Sequence, residues 1–128
     1  MARRRSPRTE SLVRSAIADL IETEVADPRV RFVTITEVEV TPDHDVATVW
    51  YTTLDPDLVS RDPARTGGDR VPAATEVAAG LESATSRLRA MLARRVDLRV
   101  VPDLRFRPDP VAEQSAKVEE LLRRLSED

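Results

Sequence analysis

Cysteine is absent from the 128-residue sequence, which rules out disulfides, thiolate ligands and thiol nucleophiles and suits a reducing compartment. Histidine occurs once, at His44 between Asp43 and Asp45. A metal site needs several ligands at defined spacing, and no second imidazole or thiolate exists to join it. A plain turn role is expected for His44, and neither metal nor cofactor is expected. Only four aromatic residues are present, Phe32, Trp50, Tyr51 and Phe106, so the core must rest on Val, Leu, Ile and Ala. With so few stacking groups, readout of splayed bases is not expected to dominate any nucleic-acid binding. No apolar run approaches membrane-spanning length, and the arginine-rich start lacks the apolar stretch of a signal peptide. A cytoplasmic protein without membrane association is expected.

Catalytic signatures are equally scarce. There is no nucleophile elbow, Walker motif or dinucleotide fingerprint, and Gly67-Gly68 is not followed by the lysine and serine of a phosphate loop. The acidic pairs Asp43/Asp45, Asp55/Asp57 and Glu119/Glu120 fall in turn, loop and exposed-helix patterns, where solvated carboxylates are the simpler reading. The sequence does not read as that of an enzyme.

What the chain does have is arginine, nineteen against a single lysine, and the arginines are clustered. The net charge is −3, yet residues 1–14 carry about +4 and residues 80–107 about +4, leaving about −11 for the rest. Two basic segments on an acidic body form a patterned dipole, and that asymmetry says more about partners than the total does.

The length fits one domain with one core. Ser6-Pro7 has the chemistry of a helix start. Leu12, Val13, Ala16, Ile17, Leu20, Ile21 and Val25 then recur at helical spacing, and Asp27-Pro28 should end the helix. Residues 32–41 and 46–53 read as strands of a hairpin around Pro42-Asp43-His44-Asp45. The first strand changes phase between Ile35 and Val38, which a bulge near Thr36-Glu37 would reconcile. In the second, Ala47, Val49 and Tyr51 share one face, and Thr48, Trp50 and Thr52 the other. Residues 55–72 read as a long mobile connection.

A second helix is expected over 73–96, with Val77, Leu81, Ala84, Leu88, Met91 and Leu92 along one side. Arg87 and Arg94 should stack on one flank and Arg89 on the other. A third strand is expected over 98–107, with Pro102 marking an edge or an interruption. Asp109-Pro110 opens a last helix with Val111, Ser115, Val118, Leu121, Leu122 and Leu125 on one stripe. The order α-β-β-α-β-α describes an α+β domain, a three-stranded mixed sheet with helices packed on one face.

The unit at 84–109 couples helix to strand and carries Arg87, Arg89, Arg94, Arg95, Arg99, Arg105 and Arg107. A continuous basic surface of this kind would neutralise phosphates with bidentate geometry. The alternative is a solvated face: a helix dipole favours Arg94 and Arg95 at its C-terminus, and alternating arginine is usual on an exposed strand side. From these residues alone both readings stand.

Joint order over most of the chain adds a third line of inference. Asp27-Pro28-Arg29-Val30, Val33-Thr34-Ile35-Thr36 with Val38, and Ala47-Thr48-Val49-Trp50-Tyr51 resemble bacterial ribosome-binding factor A. So do Ala84, Leu88-Arg89, Leu92, Leu98-Arg99, Pro102-Asp103-Leu104, Phe106 and Asp109, in order and spacing. The resemblance covers about residues 9–125. It implies a type II KH-like fold in which the usual Gly-x-x-Gly loop is replaced by a kinked helix marked Ala-x-Gly. The corresponding triplet is Ala84-Thr85-Ser86, with serine where the family usually has glycine; serine can bond back to its helix and bend it.

The resemblance further implies an assembly factor, not an enzyme. Such a factor binds the free small (30S) ribosomal subunit through 16S rRNA, promotes late maturation including 5′-end processing, and supports growth in the cold. The expected organisation is a basic arm at 1–8, a KH-like ribosome-binding domain at 9–125 and a short end at 126–128, acting as a monomer. Arg89 and Arg99 match the family by position. The other arginines of the 84–109 unit, and Arg3, Arg4, Arg5 and Arg8 of the arm, are expected phosphate contacts on charge. A different class of function also fits the charge pattern: a small α+β adaptor whose acidic body docks a basic protein.

Overall fold

In the computed structural model, which describes residues 7–56, 64 and 66–126, the chain runs α1 (Pro7–Glu24), a 3-10 turn (Pro28–Val30), β1 (Thr34–Val40), β2 (Val46–Thr52), α2 (Ala74–Arg95), β3 (Asp103–Pro108) and α3 (Pro110–Ser126). The expected order is therefore observed. Arg3, Arg4, Arg5 and Ser6 lie outside the described residues. Arg8, at the end of the expected arm, sits exposed in the first turn of α1.

The sheet order is β1-β2-β3, antiparallel between β1 and β2 and parallel between β2 and β3. The parallel pair exists because α2 carries the chain back across the sheet, as a crossover must. The expected bulge is present: the register slips between Ile35 and Glu37, so Thr36 is the extra residue. The slip lets Ile35 pair with Tyr51 while Val38 and Val40 pair with Val49 and Ala47, keeping all of them on the inner face. The hairpin turn is built by side chains. Thr41 Oγ1 donates to Asp43 Oδ1 at 2.7 Å and accepts from Val46 N at 3.1 Å. His44 takes a left-handed φ of 62° while its N–H bonds Thr41 O at 2.8 Å, a turn role as expected.

Two helices cover the inner face. Val13, Ile17, Leu20 and Ile21 of α1 and Val77, Leu81, Leu88 and Leu92 of α2 are buried against Val38, Val40, Ala47, Val49, Tyr51 and Leu104. Each such side chain contributes about 1.5–3 kcal/mol relative to exposure, before conformational entropy is set against it. α3 differs. Its stripe keeps Val111, Val118, Leu121, Leu122 and Leu125 exposed, Val111 at 70% and Leu125 at 73%, so the two-helix layer is closed without it.

Three ties hold this frame and were not visible in the sequence. Glu10 is a buried acid in the first turn of α1, and its Oε2 accepts from Val40 N at 2.8 Å. It thereby satisfies a donor on β1, an edge strand. Asp27 caps the 3-10 turn by accepting from Arg29 N at 2.9 Å, while the Arg29 guanidinium grips the same carboxylate at 2.6–3.0 Å. Those bonds hold the Asp27 carboxyl below its ordinary value. Finally, the turn presses on α2 at Gly80: a Cβ there would stand 2.9 Å from Arg29 Cβ and 3.0 Å from Val30 Cγ1. Only glycine fits that approach.

The third strand is shorter than expected. It begins at Asp103, after Pro102, and residues 98–102 are not paired into the sheet. Proline at 102 has no N–H to give a ladder, so pairing starts where the first donor appears, with Asp103 N to Asp45 O at 2.8 Å. Gly67 and Gly68, at φ 64° and 87°, form a left-handed turn ahead of α2. Residues 57–63 and 65 of the expected connection lie outside the described residues.

Candidate nucleic-acid interface

Helix α2 places the central arginines. It runs unbroken through Ala84, Thr85 and Ser86, with Ser86 exposed. The back-bond to the helix comes from Thr85, whose Oγ1 donates to Leu81 O at 2.8 Å. At its N-terminus Glu76 accepts from Ala73 N at 3.4 Å and from Arg70 at 2.7 and 3.2 Å. The Arg70 guanidinium is the main reason the Glu76 carboxyl lies below its ordinary value.

From α2 the arginines diverge. Arg87 and Arg94 are exposed on one flank, and among the described residues neither meets a carboxylate. Arg89 projects from the opposite flank and is engaged internally. Its Nη2 donates to Val101 O at 2.9 Å, its Nε donates to Pro102 O at 3.2 Å, and Asp103 Oδ1 lies 3.3 Å from Nε. Residues 96–102 have little ladder pairing of their own, so the guanidinium supplies donors to carbonyls that would otherwise rely on water. Arg95, at the helix end, pairs with Asp19 of α1. Arg99 stands exposed in the bend that Arg89 holds.

Strand alternation sends Arg105 and Arg107 elsewhere. Leu104 is buried and Phe106 half-buried on the inner face, so Arg105 and Arg107 project from the outer face of the sheet. The single basic surface expected over 84–107 is thus divided by the sheet into a helical part and an outer-sheet part. Alternation within β3 alone sets this division, since the helices cover the face that Leu104 and Phe106 share. Arg8 lies on α1, and no position is described for Arg3, Arg4 or Arg5.

Among the described residues no group of three or more His, Asp or Glu converges on a point, and no helix is long and apolar enough to cross a membrane. A groove of about 670 Å³ opens between the end of α1, the 3-10 turn and β1, lined by Ile21, Val25, Val30, Val33 and Ile35 among others. None of the expected site residues lines it.

A three-stranded mixed sheet with two helices on its inner face is a KH-like α+β domain. The comparisons with known proteins agree. The family model for ribosome-binding factor A matches residues 5–122. The chain is 40% identical over 122 residues to ribosome-binding factor A of Acidothermus cellulolyticus, covering 95% of this chain and 72% of that protein. It is 36% identical over 118 residues to the factor of an Azoarcus species, covering 92% and 82%. The crystal structure of ribosome-binding factor A from Thermus thermophilus superposes with a TM-score of 0.63 at 26% identity, over 80% of this chain and 93% of that one. A homology model of the Thermus thermophilus factor, as fitted into the cryo-electron microscopy map of a 30S complex with that factor, gives a TM-score of 0.56 at 25% identity, with the same coverage. The chain belongs to the ribosome-binding factor A family.

Proposed function

We propose that this protein is a ribosome assembly factor that binds the free 30S subunit through its 16S rRNA and promotes late maturation, including processing of the rRNA 5′ end. It acts in the cytoplasm as a monomer and supports growth in the cold, without catalysing a reaction itself. The observation that carries this reading is the flank of α2: Arg87 and Arg94 exposed and meeting no carboxylate among the described residues, on a domain of this family. Their guanidinium groups suit bidentate contact with phosphates, and Arg99 extends the same chemistry past the helix end. Arg89 supports the site as a structural tie, and Arg95 is paired with Asp19 at the surface. The relative fitted into a 30S complex adds support from the same direction.

Sedimentation of a lysate tests it. Association with free small subunits and not with whole ribosomes, weakening steeply with salt, is the expected result. A position at the top of the gradient at low salt would overturn it. A protein-adaptor reading also has an observation in its favour, the exposed apolar stripe of α3. Docking of a basic protein by the acidic body or this stripe would be unchanged in Arg87→Gln/Arg94→Gln, whereas 30S binding through α2 would weaken, which separates the two.

A further inference from the structure

The outer face of the sheet, opposite both helices, carries a group of side chains that the α2 surface does not use. Trp50, the chain's one tryptophan, stands in the central strand and is partly exposed. Its register partners are Glu37 on β1 and Arg107 on β3. Thr48, two residues earlier on the same face, pairs with Glu39 and Arg105. The face is therefore graded, acidic along β1, aromatic in the middle and cationic along β3. Arg105 and Arg107 are exposed and meet no carboxylate among the described residues, and they leave their strand about 7 Å apart. Trp50 Nε1 is buried with no hydrogen-bond partner among the described residues, an orphan donor at the centre of the patch.

We infer that this face is a second nucleic-acid contact, taking a short stretch of single-stranded RNA over the β2–β3 half of the sheet. A base stacks on Trp50 while Arg105 and Arg107 hold the flanking phosphates, the pairing of π-face and cation that single-strand binders use. The carboxylates of Glu37 and Glu39 repel phosphate from the β1 half and so fix which side the strand lies on. Charge selects the occupant: the two exposed charged groups beside Trp50 on the β3 side, Arg105 and Arg107, are cations that meet no carboxylate among the described residues, which favours RNA over an acidic-edge contact with a basic protein. The inference rests on the reading that the protein binds ribosomal RNA, and it adds a contact on the face away from α2.

Because Trp50 is the only tryptophan, its emission reports on this face alone. The full chain is titrated with eight-nucleotide oligouridylate and oligoadenylate, with anisotropy of labelled RNA followed in parallel. Saturable, salt-sensitive quenching of Trp50 is expected. Arg105→Gln with Arg107→Gln, and separately Trp50→Thr, are expected to weaken oligonucleotide binding about tenfold with unchanged circular dichroism. Trp50→Phe, which keeps a smaller stacking face, should weaken it less. Binding by anisotropy with no change in Trp50 emission would overturn the inference. So would unaltered affinity in the double arginine variant, or quenching by a polyglutamate peptide and not by RNA. Co-sedimentation of the wild-type chain with 30S subunits is measured alongside. Its persistence while Trp50 stays silent would defeat the second contact and leave the assembly-factor reading standing, whereas its loss would defeat that reading whatever Trp50 reports.

Discussion

The two flanks of α2 carry the same residue type two positions apart and use it oppositely. On one, Arg87 and Arg94 reach solvent and meet no carboxylate among the described residues; on the other, Arg89 is bonded to the carbonyls of residues 101 and 102 and lies beside Asp103. The difference shows that a dense run of arginine is not in itself a binding surface. A guanidinium with internal acceptors has already exchanged its water for protein and has less to give a phosphate. One held free over solvent keeps its full donor set for a ligand.

The comparison breaks most visibly under substitutions that separate binding from folding. Arg87→Gln, Arg94→Gln and Arg99→Gln together are expected to weaken 30S binding by about a hundredfold or more, since each removes a charge-assisted contact. Thermal unfolding of that variant should match the wild type. The reverse effect is expected next to Arg29. Gly80→Val forces side-chain atoms into the 3-10 turn and should destabilise the domain by about 1–3 kcal/mol, measured by urea unfolding, with the salt dependence of binding unchanged.

Smaller effects sharpen the contrast on the engaged side. Arg89→Gln should lose about 1 kcal/mol by freeing the carbonyls of 101 and 102, whereas Arg95→Gln, which loses only a half-exposed ion pair, should shift stability by less than about 0.5 kcal/mol. The smallest effect is set by pH. The folded Asp27 carboxyl titrates below its ordinary 3.8, so its contribution is complete above that value and fades as pH falls through the lowered folded value. Asp27→Asn retains a capping oxygen but not the charge. Its stability deficit should be largest near neutral pH and shrink in acid titrations below about pH 4.

Much of the frame was legible in the sequence because it depends on local periodicity. The apolar stripes of α1 and α2, the phase change that marks the bulge at Thr36, and the turn at His44 each follow from residues within one turn or one strand of each other. The ties that decide how arginines are employed were not legible. Arg89 meets carbonyls twelve and thirteen residues away, Glu10 meets Val40 thirty residues away, and Gly80 meets Arg29 and Val30 across the core. Spacing alone cannot pair such residues; the crossover of α2 does. Likewise Pro102 gave a correct warning of an interrupted strand, but whether pairing failed before or after it depended on where Asp45 lay.

The most direct test of the central claim is the salt dependence of 30S binding by Arg87→Gln/Arg94→Gln set against that of Arg89→Gln. Plotted as the logarithm of affinity against the logarithm of salt, the first variant should lose a slope of about 2, roughly one per phosphate contact removed, and Arg89→Gln should run parallel to the wild type. A wild-type slope in the Arg87/Arg94 variant, or a slope lost in Arg89→Gln alone, would contradict the account.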